Sequence, residues 1–296
     1  MLDAPAGAVH MSFAHYLKQI GRGAEGPADL SESDAYQLFS AVLDGGVPEL
    51  ELGALLLAMR VKSESLPELL GFYSALDARL SRLRAPAAKA VPVVLPSYNG
   101  AREQPNLLPL LALLLQRFGV PVLVHGVLNG SGRIASAYIF RELGVMPCAT
   151  LAQAQEALDA SGIAFVPTAV LAPGLAAALS LRGRLGVRSS AHVVAKLIDP
   201  FAGESLRVVS AWYPACLETL RDVLVATGAN ALLLRSTEGE PFADPLCRPQ
   251  LEHVCNGAAH VLFEAEAGPL AVAPAQPSSV DAVATAAWIR HALAGE

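Results

Sequence analysis

Val91-Pro92-Val93-Val94-Leu95 is a short β-branched run, and Val120-Pro121-Val122-Leu123-Val124-His125 is a second; a polar loop and the apolar-periodic stretch Asn106 to Phe118 lie between them. Strand, helix and strand in that order predict a parallel sheet, because a crossover helix is what returns the second strand alongside the first. A helix over Ile134 to Leu143 continues the alternation. Further strands are expected at Ala164-Phe165-Val166, Leu206 to Ala211, Ala231 to Leu234 and His260 to Glu264, with a helix over Pro214 to Thr227. Val280 to Leu293 reads as an amphipathic helix able to close one face of the sheet.

The N-terminal side carries a different pattern. Ser31 stands as N-cap with Asp34 three residues on, and Tyr36, Phe39, Val42 and Leu43 follow at helical spacing. Gly45-Gly46 ends that helix, Glu49 to Val61 forms a second, and Pro67 opens a third running toward Leu83. Arg84 to Lys89 reads as a linker. The expected class is thus α/β: a small N-terminal helical domain over 1–85, joined by part of 168–195, and a larger α/β domain over 90–296 with a mostly parallel central sheet flanked by helices.

Composition narrows the function classes. The chain is 53% hydrophobic with a mean hydropathy of +0.42, mostly from Ala and Leu at helical spacing. The longest uncharged run, Ile163 to Leu181, is interrupted by Pro167, Pro173 and Gly174, so it predicts buried structure and not a membrane span. Met1 to Phe13 has no basic-then-apolar order, which makes the cytoplasm the expected compartment. Cys148, Cys216, Cys247 and Cys255 lack metal or disulfide spacing and read as buried small hydrophobes, so no metal site is expected.

The net charge is −6, yet no acid occurs from Gln104 to Arg141 or from Ala160 to Ile198. Arg133 falls in the first stretch; Arg182, Arg184, Arg188 and Lys196 fall in the second. A locally positive surface on an acidic chain is therefore expected.

Several of these segments carry a resemblance. Leu30 to Val61 with Ala58-Met59-Arg60-Val61-Lys62, then His125-Gly126, then Arg182-Gly183-Arg184-Leu185-Gly186-Val187-Arg188, then Leu197-Ile198-Asp199-Pro200, is similar in order to anthranilate phosphoribosyltransferase, a glycosyltransferase of family 3. The resemblance covers roughly Leu30 to Asp244 and implies a cleft between the two domains, an architecture shared with pyrimidine nucleoside phosphorylases. That family holds pyrophosphate on Gly-Thr-Gly-Gly-Asp, where this chain has Pro96-Ser97-Tyr98-Asn99-Gly100, too bulky for close approach of backbone to phosphate. Its paired metal carboxylates fall near Ala243-Asp244, with only Glu238 and Glu240 close by. No catalytic residue and no cofactor is therefore expected, and magnesium only if the chain is an enzyme.

The departures themselves resemble the YbiB-type branch of anthranilate phosphoribosyltransferase-like proteins: Pro96 to Arg102, Gln104-Pro105-Asn106, Val124-His125-Gly126 and Lys196-Leu197. That resemblance implies a non-enzymatic homodimer binding nucleic acid without sequence preference. Its basic inter-domain groove would be lined by Arg102, Arg133, Arg182, Arg184, Arg188 and Lys196. The alternative is a family 3 glycosyltransferase with an altered substrate. In the remodelled loop Ser97, Tyr98, Asn99, Gly100, Tyr98 either stacks on a base or ribose, with Arg102 on a phosphate, or packs locally in a type I′-like Asn-Gly turn. His125 and His192 read as hydrogen-bonded structural histidines. Asn129-Gly130-Ser131-Gly132-Arg133 is either an anion-binding loop or a surface turn.

Overall fold

The computed structural model describes residues 13–21, 26–87, 90–130, 132–244, 246–266 and 275–295. Ser131, the linker residues Ala88 and Lys89, and all of the N-terminal segment before Phe13 lie outside them.

The first four helices are α1 (Ala14–Ile20), α2 (Glu32–Leu43), α3 (Glu49–Lys62) and α4 (Leu66–Asp77). Ser31 caps α2 by accepting from the Asp34 N–H, as its spacing predicts. Ser65 and Glu68 cap α4 reciprocally. Leu38, Phe39, Leu55, Met59, Phe72 and Leu76 fill the space between the helices, with the Phe39 and Phe72 rings 4.9 Å apart. The helix opened by Pro67 stops at Asp77, well short of Leu83. Leu83 instead runs extended beside Phe201, donating to the Pro200 carbonyl at 2.7 Å.

The rest of the chain contains β1 (Val93–Ser97), α5 (Leu108–Arg117), β2 (Val122–Gly126), α6 (Ser136–Glu142), α7 (Leu151–Ser161), β3 (Ile163–Pro167), α8 (Thr168–Leu171) and α9 (Pro173–Ser180), the last packing on α2 where Gly174 meets the Leu43 backbone. After them come α10 (Arg182–Leu185), α11 (Ala191–Val194), a 3₁₀ turn Ala195–Leu197, β4 (Leu206–Ala211), α12 (Pro214–Ala226), β5 (Ala231–Arg235), β6 (Leu251–Cys255), β7 (Ala258–Phe263) and α13 (Ala282–Ala294). The seven strands form one sheet in the order β3-β2-β1-β4-β5-β6-β7. The first five run parallel, and β6 and β7 are antiparallel additions at one edge. Strands β1 to β3 are buried at every position, as strands covered on both faces must be.

Several details depart from the sequence expectation. β1 sits two residues later than Val91 to Leu95, because Pro96 and Ser97 still pair with His125 and Gly126 of β2. β6 and α7 were not foreseen at all. The uncharged run Ile163 to Leu181 is buried in part as β3, α8 and α9, broken at its prolines, and no helix among the described residues is long and apolar enough to cross a membrane. Only Cys148 of the four cysteines is buried; Cys216 is exposed and Cys247 and Cys255 are half-buried. α13 packs on α6 through Ile139, Ala286 and Ile289, as an amphipathic closing helix should.

This strand order places the site. From β1 the chain moves outward to β2 and β3, then returns to the other side of β1 with β4 and β5. The crossovers on the two sides diverge at β1 and β4, opening a crevice beyond their C-terminal ends. The loops after β1, β2, β3 and β5 all meet there.

Candidate functional site

Beyond β1 the chain turns at Tyr98-Asn99-Gly100, all three residues buried. Tyr98 is 5% exposed, its hydroxyl 2.8 Å from His125 Nδ1 and accepting from Thr168 at 3.3 Å. The Tyr98 hydroxyl and Nδ1 thus share one hydrogen bond, and the other ring nitrogen is Nε2. That Nε2 has no hydrogen-bond partner among the described residues. Burial pushes His125 down to about 3, so the ring is neutral. Tyr98 is therefore packed locally with its hydroxyl taken up by His125 and Thr168, although the residue also lines the adjoining cleft. The turn is not type I′ either, since only Gly100 has a positive φ, +64°.

The N–H groups of this turn have a single target. Asn99 N and Gly100 N donate to Glu240 Oε1 at 2.8 and 2.6 Å. Glu240 is fully buried, and its other oxygen, Oε2, has no partner within hydrogen-bond distance among the described residues. Glu238, two residues earlier, accepts from Glu103 N, Gln104 N and Arg102 N, and pairs with Arg133. Burial opposes the Glu238 charge, but those three N–H groups and Arg133 outweigh it and hold its carboxyl below the usual range. Burial drives Glu240 the other way, upward, against the two N–H bonds and the charge of Lys196.

Both acids project from one tight turn. Thr237 and Glu240 exchange backbone hydrogen bonds, and the central residues Glu238 and Gly239 have φ of +54° and +92°. Asn99 Nδ2 donates to the Gly239 carbonyl. A Cβ at Gly239 would lie 2.7 Å from that Asn99 amide, so the turn is seated against the loop as closely as glycine allows.

The basic residues divide into two sets. Arg188 feels the charges of Arg182, Arg133 and Arg60; the crowded surroundings first, and then those charges, hold its guanidinium below the usual arginine value. His192 and Lys196 belong to the same group. Burial, then Arg188 and Arg182, bring His192 down to about 4; burial, then Arg188, bring Lys196 down to about 8. Lys196 donates to the Ser210 carbonyl at 2.8 Å near the end of β4. Arg60, Arg182 and Arg188 have no side-chain hydrogen bond or ion pair among the described residues.

The other three predicted arginines are placed differently. Arg133 is committed to Glu238 and to the Gly100 carbonyl. Arg102 and Arg184 are exposed and pair with Glu103 and Glu49, each at 3.2 Å. Such pairs are solvent-screened and neither points into the crevice cluster. Arg60, from the end of α3, joins the group around Arg188, and nothing in the spacing of Ala58-Met59-Arg60-Val61-Lys62 sets it apart from Lys62.

Beside the arginines lies a cleft of about 400 Å³ between the ends of β1 to β3 and helices α9 and α10, lined by Gly126, Leu128, Thr168, Leu179, Arg182 and His192 among others. The Leu197 to Pro200 motif is elsewhere: Asp199 accepts from Phe201 N and Ser205 and faces Arg207, at the N-terminal end of β4. Among the described residues, no three His, Cys, Asp or Glu side chains are grouped to hold a metal.

A helical bundle set against an α/β sheet, with a basic crevice at the switch point, defines a sugar-phosphate transferase scaffold. Comparison with known proteins agrees: residues 14–79 match the helical bundle domain of the glycosyl transferase family. The chain is 41% identical over 286 residues to YbiB of Escherichia coli (strain K12), spanning 96% of this chain and 89% of that protein, and it belongs to that family. It is 29% identical over 215 residues to anthranilate phosphoribosyltransferase of Methylocella silvestris, covering 73% of this chain and 60% of that enzyme. The fold matches anthranilate phosphoribosyltransferase of Thermus thermophilus with a TM-score of 0.73 at 24% identity, over 94% and 82% of the two chains. It also matches the Saccharomyces cerevisiae enzyme in complex with PRPP and Mg, with a TM-score of 0.71 at 14% identity, over 96% and 82%.

Proposed function

We propose that the chain uses this glycosyltransferase family 3 scaffold to bind a phosphate monoester, such as a phosphoribosyl or nucleotide-type ligand, as an enzyme with an altered substrate. The observation that supports this reading is a group of like charges acting on Arg188, those of Arg182, Arg133 and Arg60, in which Arg60, Arg182 and Arg188 have no side-chain ion pair among the described residues. Three guanidinium groups held together repel one another, and a dianion among them turns that repulsion into charge-assisted, bidentate contacts. The adjoining cleft offers an apolar wall and a few polar groups for the organic part of the ligand. Phosphoribosyl pyrophosphate with magnesium fits poorly, since the seat on Asn99 and Gly100 already holds Glu240.

Calorimetry with ribose 5-phosphate and a nucleoside monophosphate is the test. Binding to the unmodified chain is expected, and Arg188→Glu should weaken it at least about thirtyfold, the worth of about 2 kcal/mol for a charged hydrogen bond. Affinity should also fall as pH rises through about 8, because Lys196 then loses the charge that helps hold the anion. No binding, or binding indifferent to Arg188→Glu, sinks the proposal.

A second reading is supported by the acid-free basic stretches: nucleic acid in the same crevice, with Arg102 and Arg184 on its rim. It requires binding of labelled single-stranded DNA that falls steeply with salt and is lost in Lys196→Glu. The homodimer belongs to this proposal too. Leu50, Leu57 and Val61, 83%, 51% and 80% exposed, lie on one side of α3 and suit a second copy of the chain; sedimentation of the unmodified chain against Leu57→Lys tests it. Cytoplasmic residence likewise remains part of the proposal.

A further inference from the structure

The turn Thr237 to Glu240 does something that neither monoester binding nor the scaffold requires. It places a buried carboxylate where two adjacent backbone N–H groups of the β1 loop converge. Paired N–H groups at the C-terminal end of a central parallel strand form a seat for an anion. Here the group in the seat, the Glu240 carboxyl, is covalently part of the chain. Three features show that the seat is built: Gly239 closes against Asn99 where no larger residue fits, Glu238 holds a left-handed φ uncommon outside glycine, and Glu238 fastens the same loop through three further N–H groups. The charges of Arg188 and Lys196 act on Glu240 from the crevice side, so the seat adjoins the arginine cluster.

We propose that Glu240 is the specificity-determining residue of the crevice, an internal stand-in for a phosphate that fills the second anion seat and restricts the site to ligands with a single phosphate. The inference rests on the reading that the arginine cluster takes a phosphate monoester. A diphosphate would have to place its second group where the Glu240 carboxyl already takes the Asn99 and Gly100 N–H groups, so the seat is closed to it by occupation. A monoester needs only the cations around Arg182 and Arg188, with the Lys196 charge beside them.

The experiment compares inorganic pyrophosphate and ribose 5-phosphate, by calorimetry, on the unmodified chain, Glu240→Ala and Glu240→Gln. Ala empties the seat, whereas Gln keeps it filled and removes only the charge. Pyrophosphate is expected to bind Glu240→Ala at least tenfold more tightly than the unmodified chain, with Glu240→Gln gaining much less. A folded Glu240→Ala that gains nothing for pyrophosphate overturns the inference. If that chain gains pyrophosphate while no form binds ribose 5-phosphate, the seat stands and the monoester reading falls; the reverse pattern sinks the seat alone.

Should Glu240→Ala not fold, hydrogen exchange on the unmodified chain decides. The Asn99 and Gly100 amides are expected to exchange slowly with no anion present and to be unaffected by added pyrophosphate. Fast exchange there, or further slowing when pyrophosphate is added, overturns the proposal.

Discussion

Lys62→Met is expected to cost about 3–5 kcal/mol of folding stability, the range for removing one partner of a buried ion pair. Lys62 closes α3 with its side chain only 4% exposed, 2.7 Å from Glu68 and 2.6 Å from Asp29. Burial pushes its ammonium down, but the hydrogen bonds to Asp29 and Glu68 outweigh burial and raise it. Glu68 is fully buried and also accepts from Leu30 N and Ser65 N, each at 2.8 Å. It thereby ties the entry of α2, the end of α3 and the start of α4 together. Without Lys62 the carboxylate remains buried with neutral donors alone, and desolvation is then uncompensated. Urea unfolding should show a lower midpoint with an unchanged slope, and a fall in Tm of about 10 °C. Asp29→Asn should do far less, because Asp29 is 61% exposed. A loss below about 1 kcal/mol for Lys62→Met would show that the pair contributes nothing specific.

Lys62 and Arg60 illustrate what the sequence can and cannot assign. Both stand in Ala58-Met59-Arg60-Val61-Lys62, and nothing in spacing distinguishes them. Lys62 finds two acids and becomes part of the helical core; Arg60 finds none among the described residues, and its charge acts on Arg188. The same division separates Arg184, opposite Glu49, from Arg182 and Arg188. An acid-free stretch predicts a positive surface, but the partners that quench individual charges come from other elements.

Secondary structure was legible where local chemistry agreed with tertiary fate. Leu206 to Ala211 forms β4 with those bounds, and Ser31 caps α2. β6 escaped notice because Glu252 and His253 break its apolar pattern; each is satisfied from outside the strand, by Arg221 at 2.6 Å and by Asn230 at 2.8 Å. Glu240 escaped for a related reason. An acid beside Gly239 reads as a surface turn, and only the returning loop from β1, about 140 residues away in sequence, makes it a buried one.

Stability should fall steeply with acid because of His125. The ring is fully buried, hydrogen-bonded to Tyr98, and held neutral down to about 3, whereas in the unfolded chain it takes a proton near its ordinary value of 6.5. A depressed imidazole costs the fold nothing above pH 6.5, and the penalty grows as pH falls toward 3, because only the unfolded chain then takes the proton. The slope from one such group approaches 1.4 kcal/mol per pH unit. His192, lowered to about 4, adds in the same direction over a narrower window. The range from pH 6 to 5 lies above most carboxylate titration, so the two histidines can be read there with little interference. His125→Gln should lower stability at neutral pH by removing the Tyr98 contact, yet flatten the dependence by about one proton between pH 6 and 5. Urea titrations at several pH values measure that slope directly. An unchanged slope in His125→Gln would mean that the folded protein protonates His125 without resistance, and the Tyr98–His125 pair would then not be the buried, neutral anchor of the β1 loop.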